Sequence, residues 1–154
     1  MERFVIAAVV VAAAVVVAIV VERRRPAPPT QSRWSVPAQL DRADFEFPST
    51  PWLVAVFTSA TCDACGGTLE KARVLASGDV AVQEVEVGAR RDLHTRYAID
   101  AVPLTVVADA DGVVVASFVG EPTATDLWAA VAEARAPGTS PEPGLGRPAT
   151  PEIG

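Results

Sequence analysis

The alternation of apolar and polar positions predicts short strands and helices between residues 53 and 136. Four apolar, β-branched runs predict strands, at residues 53–57, 80–87, 104–108 and 113–119. Helical spacing predicts three helices. The first has Gly66 and Gly67 in its first turn and continues through residues 68–77, and the others lie at 90–98 and 123–136. An Asp-Gly turn at residues 109–112 predicts that the last two strands form a hairpin. Because strands joined through a helix run parallel, this order predicts an α/β fold with a mixed sheet covered by helices on both faces.

The segment before the first strand is less regular. Pro37 and Pro48 interrupt it, so we expect only a short strand or helix there. Leu40, Phe45 and Phe47 are its candidate core contacts. Core or domain-edge packing is the simplest role for the three tryptophans, which are Trp34, Trp52 and Trp128.

The N-terminus carries a separate apolar run. Residues 4–21 contain only Phe, Val, Ile and Ala, and as a helix they would extend about 27 Å, close to the hydrocarbon thickness of a bilayer. A cleaved signal peptide is the alternative, but no small-residue cleavage site precedes the arginines that follow. We therefore predict an uncleaved anchor at 4–21, a basic and Pro-rich linker at 22–37, a folded domain at 38–136, and a disordered tail rich in Pro, Gly and Thr at 137–154.

Charge bears on the orientation and the partners of the domain. Arg3 and the α-amino group precede the apolar run, and Arg23, Arg24 and Arg25 follow it. The positive-inside rule therefore favours a cytoplasmic domain, with the extracytoplasmic side as the alternative. Residues 26–154 carry nine Lys or Arg and seventeen Asp or Glu, a net charge of −8, which argues against a nucleic-acid partner.

The candidate chemistry lies where the first predicted strand turns into a helix. Cys62 and Cys65 form a C-x-x-C pair there. Unpaired amide N–H groups and the positive end of the helix dipole favour a thiolate at the first cysteine. Taken by itself, such a pair is either a dithiol/disulfide switch, half of a metal site or a chance occurrence.

The rest of the chain offers little to a metal or cofactor. A tetrahedral zinc site needs two further ligands, and His94 is the one other residue among Cys and His in the chain. We expect His94 to be a solvated helix residue, since no partner lies near it in sequence. Haem attachment through C-x-x-C-H is excluded because Gly66 follows Cys65. We predict no metal and no cofactor.

The order of elements, the Cys62-Asp63-Ala64-Cys65 motif, and the stretch at 97–103 that ends in Pro103 together resemble the thioredoxin family over roughly residues 38–135. The resemblance implies a cis Val102–Pro103 bond that lies against the cysteines. It also implies that the backbone of Val102 offers strand-like hydrogen bonds to a substrate. Gly120 matches a family glycine near the same surface.

The sequence departs from the family pattern at several positions around the motif. Val56 stands where many thioredoxins keep a buried acid, and by the resemblance it lies beneath Cys65. Glu84 stands where they often carry a lysine. Thr61 replaces the usual aromatic residue, and Asp63-Ala64 replaces the usual Gly-Pro. These departures suggest a narrower client range or a weak reductase.

The resemblance implies a thiol-disulfide oxidoreductase, and the apolar run at 4–21 predicts that it is tethered to a membrane. Cys62 would attack and Cys65 would resolve, while the substrate-binding positions would be Thr61, Asp63, Ala64, Val102, Pro103 and Gly120. The partners would be protein thiols or disulfides, the membrane through residues 4–21, and an upstream electron donor or acceptor that the sequence does not identify. The alternative is a tethered thioredoxin-fold binding module without turnover.

Overall fold

A computed structural model describes residues 34–139 and Gly146. Its elements in chain order are a 3-10 helix Arg42–Asp44, β1 Trp52–Thr58, α1 Asp63–Arg73, β2 Val80–Glu86, α2 Arg91–Arg96, β3 Leu104–Ala108, β4 Val114–Val119 and α3 Ala124–Arg135. The predicted anchor and most of the linker and of the tail lie outside the described residues. None of the helices in the described part is long and apolar enough to cross a membrane.

The four strands form one mixed sheet in the order β2-β1-β3-β4. β1 pairs in parallel with β2 and antiparallel with β3, and β3 pairs antiparallel with β4. β1 lies inside the sheet because its sequence is apolar on both faces, and residues 53–58 are all buried. This arrangement confirms the predicted mixed sheet flanked by helices.

Successive side chains along each strand lie on opposite faces of the sheet, and each face packs against different helices. One face, which we call the α2 face, packs against α2 and the segment before β1, and it includes Phe57, Leu93 and Tyr97. The other, which we call the α1/α3 face, packs against α1 and α3, and it includes Val56, Leu69 and Leu127. The separation follows from the two-residue side-chain period of a strand.

The turn between β3 and β4 confirms the predicted hairpin. The Asp109 carboxylate accepts hydrogen bonds from the backbone N–H groups of Asp111 and Val113. Gly112 has a positive φ of 82°, and a Cβ there would collide with the carbonyl of Leu40. The turn therefore also fixes the segment before β1, because Leu40 N–H donates to Gly112 O at 2.8 Å.

Within that segment the structure corrects one predicted core residue. Leu40 and Phe45 are buried as expected, but Phe47 is 68% exposed, in a turn where its φ is 56°. Arg42 is buried instead, and its guanidinium donates to the carbonyls of Asp109 and Thr50. Removal from water lowers the pKa of Arg42. The guanidinium thus joins the segment before β1 to the turn after β3, while Phe47 lies in a turn in which Thr50 N–H donates to Phe47 O at 3.0 Å.

Two helices have different bounds from those predicted. α1 begins at Asp63, directly after Cys62, so that Gly66 and Gly67 lie near its N-terminus as predicted. It ends at Arg73. Beyond that residue, the N–H groups of Leu75 and Ala76 donate to carbonyls three residues earlier, which is the tighter 3-10 pattern common at helix ends. α2 is shorter than expected at both ends.

The tryptophans and the tail add two details. Trp52 is half-buried, whereas Trp34 is exposed. Trp128 is 42% exposed, and its indole N–H donates to Lys71 O. In the tail, Gly146 O accepts a hydrogen bond from Ser117 N–H on β4.

Candidate functional site

The cysteine pair lies at the N-terminus of α1, directly after β1. Cys62 is the N-cap residue in extended geometry, and Cys65 lies in the first turn. The two form a disulfide with their Cα atoms 5.4 Å apart. Cys62 is half-buried and Cys65 is 4% exposed, so Cys62 is the sulfur that an incoming protein can reach.

The electrostatics of this turn follow from the helix end. No side chain caps the first-turn N–H groups from the Cys62 position. These groups and the helix dipole favour a negative sulfur at the N-cap. Asp63 is exposed in the same turn, where it interacts well with the dipole but opposes a neighbouring thiolate.

The structure brings Pro103 and Gly120 to the same end of the sheet as the cysteines. The Val102–Pro103 bond is cis, as predicted. Phe57 pairs with Leu104, the residue that follows Pro103, so Pro103 lies beside the end of β1. Gly120 N–H donates to Pro103 O at 2.8 Å, and Gly120 has a positive φ of 88°.

The remaining predicted substrate-binding residues surround the motif. Thr61 and Asp63 are exposed, and the Thr61 hydroxyl lies 3.1 Å from that of Ser59. Ala64 is half-buried, and its carbonyl accepts a hydrogen bond from the Thr68 hydroxyl. Val102 is half-buried against the α2 face. Their role in substrate binding stays a prediction.

A contact that the sequence did not reveal holds α1 against the loop after β4. Lys71 Nζ lies 2.6 Å from a carboxylate oxygen of Glu121 and donates to Pro122 O. That carboxylate also lies over Gly67, where a Cβ would approach it to 2.8 Å. Gly67 therefore costs helix stability but permits a close approach of the loop. The pairing is non-local, and the acidic residue directly after Gly120 is the one local signal for it.

On the α1/α3 face, two polar side chains lie next to the apolar side chain of Val56. Val56 is fully buried, as predicted, and neighbours Glu84 on β2 and Thr105 on β3. The Thr58 hydroxyl donates to Glu84 Oε1 at 2.9 Å. The Thr105 hydroxyl is buried and has no hydrogen-bond partner within the described residues.

His94 is not solvated, and that prediction is wrong. The ring is 6% exposed, lies edge-on to Phe57 at 5.3 Å, and its Nε2 is 2.8 Å from Val85 O. His94 is buried because the apolar side of α2, which includes Leu93 and Tyr97, packs against the sheet, and His94 lies next to these residues on the helix. Within residues 34–139 and Gly146, no group of three or more His, Cys, Asp or Glu could hold a metal ion.

Comparison with known proteins gives structural similarities alone. No protein-family model matches the chain, and no curated protein matches it. A thioredoxin from Fasciola hepatica is 24% identical, with a TM-score of 0.49, over 56% of this chain and 83% of its own. Oxidised mitochondrial thioredoxin 3 from Saccharomyces cerevisiae is 20% identical, with a TM-score of 0.48, over 56% and 81%. A mutant thioredoxin from Halobacterium salinarum is 26% identical, with a TM-score of 0.49, over 60% and 82%.

The class of the protein follows from its own geometry. The sheet order β2-β1-β3-β4, with helices on both faces, is that of a thioredoxin-like fold. A disulfide at the N-terminus of α1, between half-buried Cys62 and buried Cys65, is suited to thiol–disulfide exchange.

Proposed function

We propose that this chain is a membrane-tethered thiol-disulfide oxidoreductase that exchanges disulfides with protein clients. The observation that carries the proposal is the Cys62–Cys65 disulfide at the helix N-terminus, with the accessible sulfur at the N-cap. That position lowers the cost of forming a thiolate, which is the species that attacks disulfides.

The reductive direction has two steps. The Cys62 thiolate attacks a client disulfide, forms a mixed disulfide with one client sulfur and releases the other as a thiolate. Cys65 then loses its proton and attacks Cys62 Sγ, which closes the Cys62–Cys65 disulfide and releases the second client thiolate. Oxidation of a client dithiol is the same sequence in reverse.

The client would lie over a surface of small residues at this end of the sheet. Pro103 shapes that surface, and the backbone of Val102 would pair with an extended client segment. The other proposed contacts are Thr61, Asp63, Ala64 and Gly120.

The test of this function is to trap clients with Cys65→Ala in membranes. Without the resolving thiol, mixed disulfides through Cys62 accumulate, and non-reducing electrophoresis followed by mass spectrometry identifies the clients. The Cys62→Ala/Cys65→Ala double variant is the control and should trap none. If Cys65→Ala traps nothing even under oxidising challenge, the chain is instead a binding module whose cysteines do not turn over.

Tethering through residues 4–21, with the domain in the cytoplasm, is also a proposal. It is supported by the length of the apolar run and the arginines at 23–25. A thiol reagent that cannot cross membranes should leave reduced Cys62 unlabelled in intact cells and label it after lysis. Labelling of intact cells would place the domain on the other side.

A further inference from the structure

One edge of the sheet is formed by β4. In the part of the chain that the structure describes, β4 has a strand neighbour on one side, which is β3. Backbone groups of alternate residues in an antiparallel pair face alternate sides. Gly120 N–H faces β3, since it donates to Pro103 O, so the N–H of Ser117, three residues earlier, faces the outer edge. Outward-facing groups of this kind are a template for pairing with another chain.

Two segments of the chain bond to this outer edge. Where β4 begins, Val114 N–H donates to Ala38 O at 3.0 Å, so the segment before β1 covers that end. Further along the strand, Ser117 N–H donates to Gly146 O at 2.6 Å. Gly146 belongs to the tail at 137–154, and it therefore brings the tail to the part of the edge that the first segment leaves open.

Gly146 lies directly on the aromatic ring of Phe118. Its φ is 74°, a conformation that favours glycine. A Cβ at this position would lie 2.7 Å from Cζ of Phe118 and within 3.2 Å of both Cε atoms. The ring has little room to move away, because Phe118 is half-buried and packs against the α1/α3 face. Backbone conformation and space therefore both require glycine here.

The tail of the same chain is long enough to reach this edge. α3, which precedes the tail, packs on the same face of the sheet as Phe118. The seven steps from Thr139 to Gly146 span at most about 25 Å. The prolines of this segment favour extended backbone and have no N–H to donate, so the segment suits an edge position. They are Pro141, Pro143 and Pro148.

We propose that the C-terminal tail docks on the outer edge of β4 through Gly146 and closes this edge to strand addition by a second copy of the chain. The docking surface consists of the Ser117 N–H and the ring of Phe118. Its occupant is the chain's own segment around Gly146. The inference goes beyond the proposed function and involves neither cysteine, so either one can fail without the other.

Amide hydrogen exchange of the full chain tests the docking. The Ser117 N–H should be protected in the wild type, and Gly146→Ala should speed its exchange by about tenfold, which corresponds to about 1.4 kcal/mol. Gly120 N–H reports on the pairing of β3 with β4, and its exchange should be unchanged. Gly138→Ala is the matched control, because Gly138 also has a positive φ, of 87°, but a Cβ there meets no atom within 4 Å.

A double-mutant cycle tests whether the ring of Phe118 is the contact that selects glycine. In a Phe118→Ala background the collision is absent, so Gly146→Ala should change Ser117 exchange less than it does in the wild type. An equal change in both backgrounds would overturn the assignment of Phe118 to the docking surface.

Sedimentation of the full chain in one detergent tests the closing of the edge. Gly146→Ala should self-associate more strongly with rising concentration than Gly138→Ala does, because its β4 edge is open for longer. Equal sedimentation of the two variants, with Ser117 exchanging faster in Gly146→Ala, would contradict the closing role.

Two further results would overturn the docking itself. One is a Ser117 N–H that exchanges equally fast in the wild type and in Gly146→Ala. The other is protection of Ser117 that rises with the concentration of the wild-type chain, which would mean that a second copy covers the edge instead of the tail.

Discussion

The two faces of the sheet differ in the size of their apolar side chains and in the state of their polar groups. The α2 face buries large rings whose polar groups are paired, His94 with a backbone carbonyl and Tyr97 with Asp44. In the segment before β1, the Nε of buried Arg42 has no hydrogen-bond partner within the described residues. The α1/α3 face buries mainly Val, Leu and Ala. Next to Val56 it carries the hydroxyl of Thr105, which has no partner within the described residues.

This difference assigns the larger share of the burial energy to the α2 face, whereas Cys65 packs on the α1/α3 side with α1. Large, interlocked rings contribute most of the burial energy per residue. Polar groups in a buried layer lower stability unless they are satisfied. The comparison can be tested by substitutions of matched type on each face.

The largest expected effect comes from adjacent β1 residues that face opposite sides. Phe57→Ala should lower the free energy of unfolding by about 3–5 kcal/mol, because a ring in contact with His94 and Tyr97 is replaced by a cavity. Val56→Ala should cost about 2 kcal/mol, since it removes a smaller group. Urea unfolding of the oxidised full chain measures both, and equal costs would contradict the division between the faces.

A smaller effect should follow from Tyr97→Phe on the α2 face. The Tyr97 hydroxyl donates to Asp44 and accepts from Asp41 N–H, so its loss should cost about 1–2 kcal/mol at neutral pH. A change below about 0.5 kcal/mol would mean that this network adds nothing to the face.

The same residue predicts a dependence on alkaline pH. Burial, then the hydrogen bond with Asp44, raises the pKa of Tyr97 to about 12. The pKa of the unfolded chain is about 10, so the contribution of Tyr97 to stability is complete below pH 10 and is lost as the pH rises to about 12. Wild type should therefore lose stability relative to Tyr97→Phe across this window. Parallel melting curves for the two proteins would contradict it.

The smallest effect has the opposite sign and concerns the α1/α3 face. Thr105→Val removes a buried hydroxyl that has no partner in the described part of the chain, so stability should rise by about 1 kcal/mol. Thr68→Val is the matched control, and it should lose about 1 kcal/mol because that hydroxyl donates to Ala64 O. A loss of stability in Thr105→Val would show that the hydroxyl is satisfied, for example by a water molecule.

Local patterns in the sequence were enough to predict the sheet and the position of the cysteines. Apolar, β-branched runs mark the strands, and the Asp-Gly turn marks the hairpin, because each signal acts over a few residues. The cis bond before Pro103 followed from the family resemblance and is confirmed.

What the sequence did not predict depends on residues far apart in the chain. His94 appeared solvated because its partner is the carbonyl of Val85 on another element, and Arg42 is buried because carbonyls from two other loops converge on it. The approach of Glu121 to Gly67 likewise exists only once α1 and the loop after β4 have met.

The most direct test of the central claim is the reduction potential of the Cys62–Cys65 pair, measured by equilibrating the full chain with thiol–disulfide buffers. A pair that exchanges disulfides should equilibrate reversibly, with a potential within the range of about −270 to −120 mV that covers active thiol-disulfide proteins. A potential below about −300 mV would mark a structural disulfide that resists reduction, and would contradict the account.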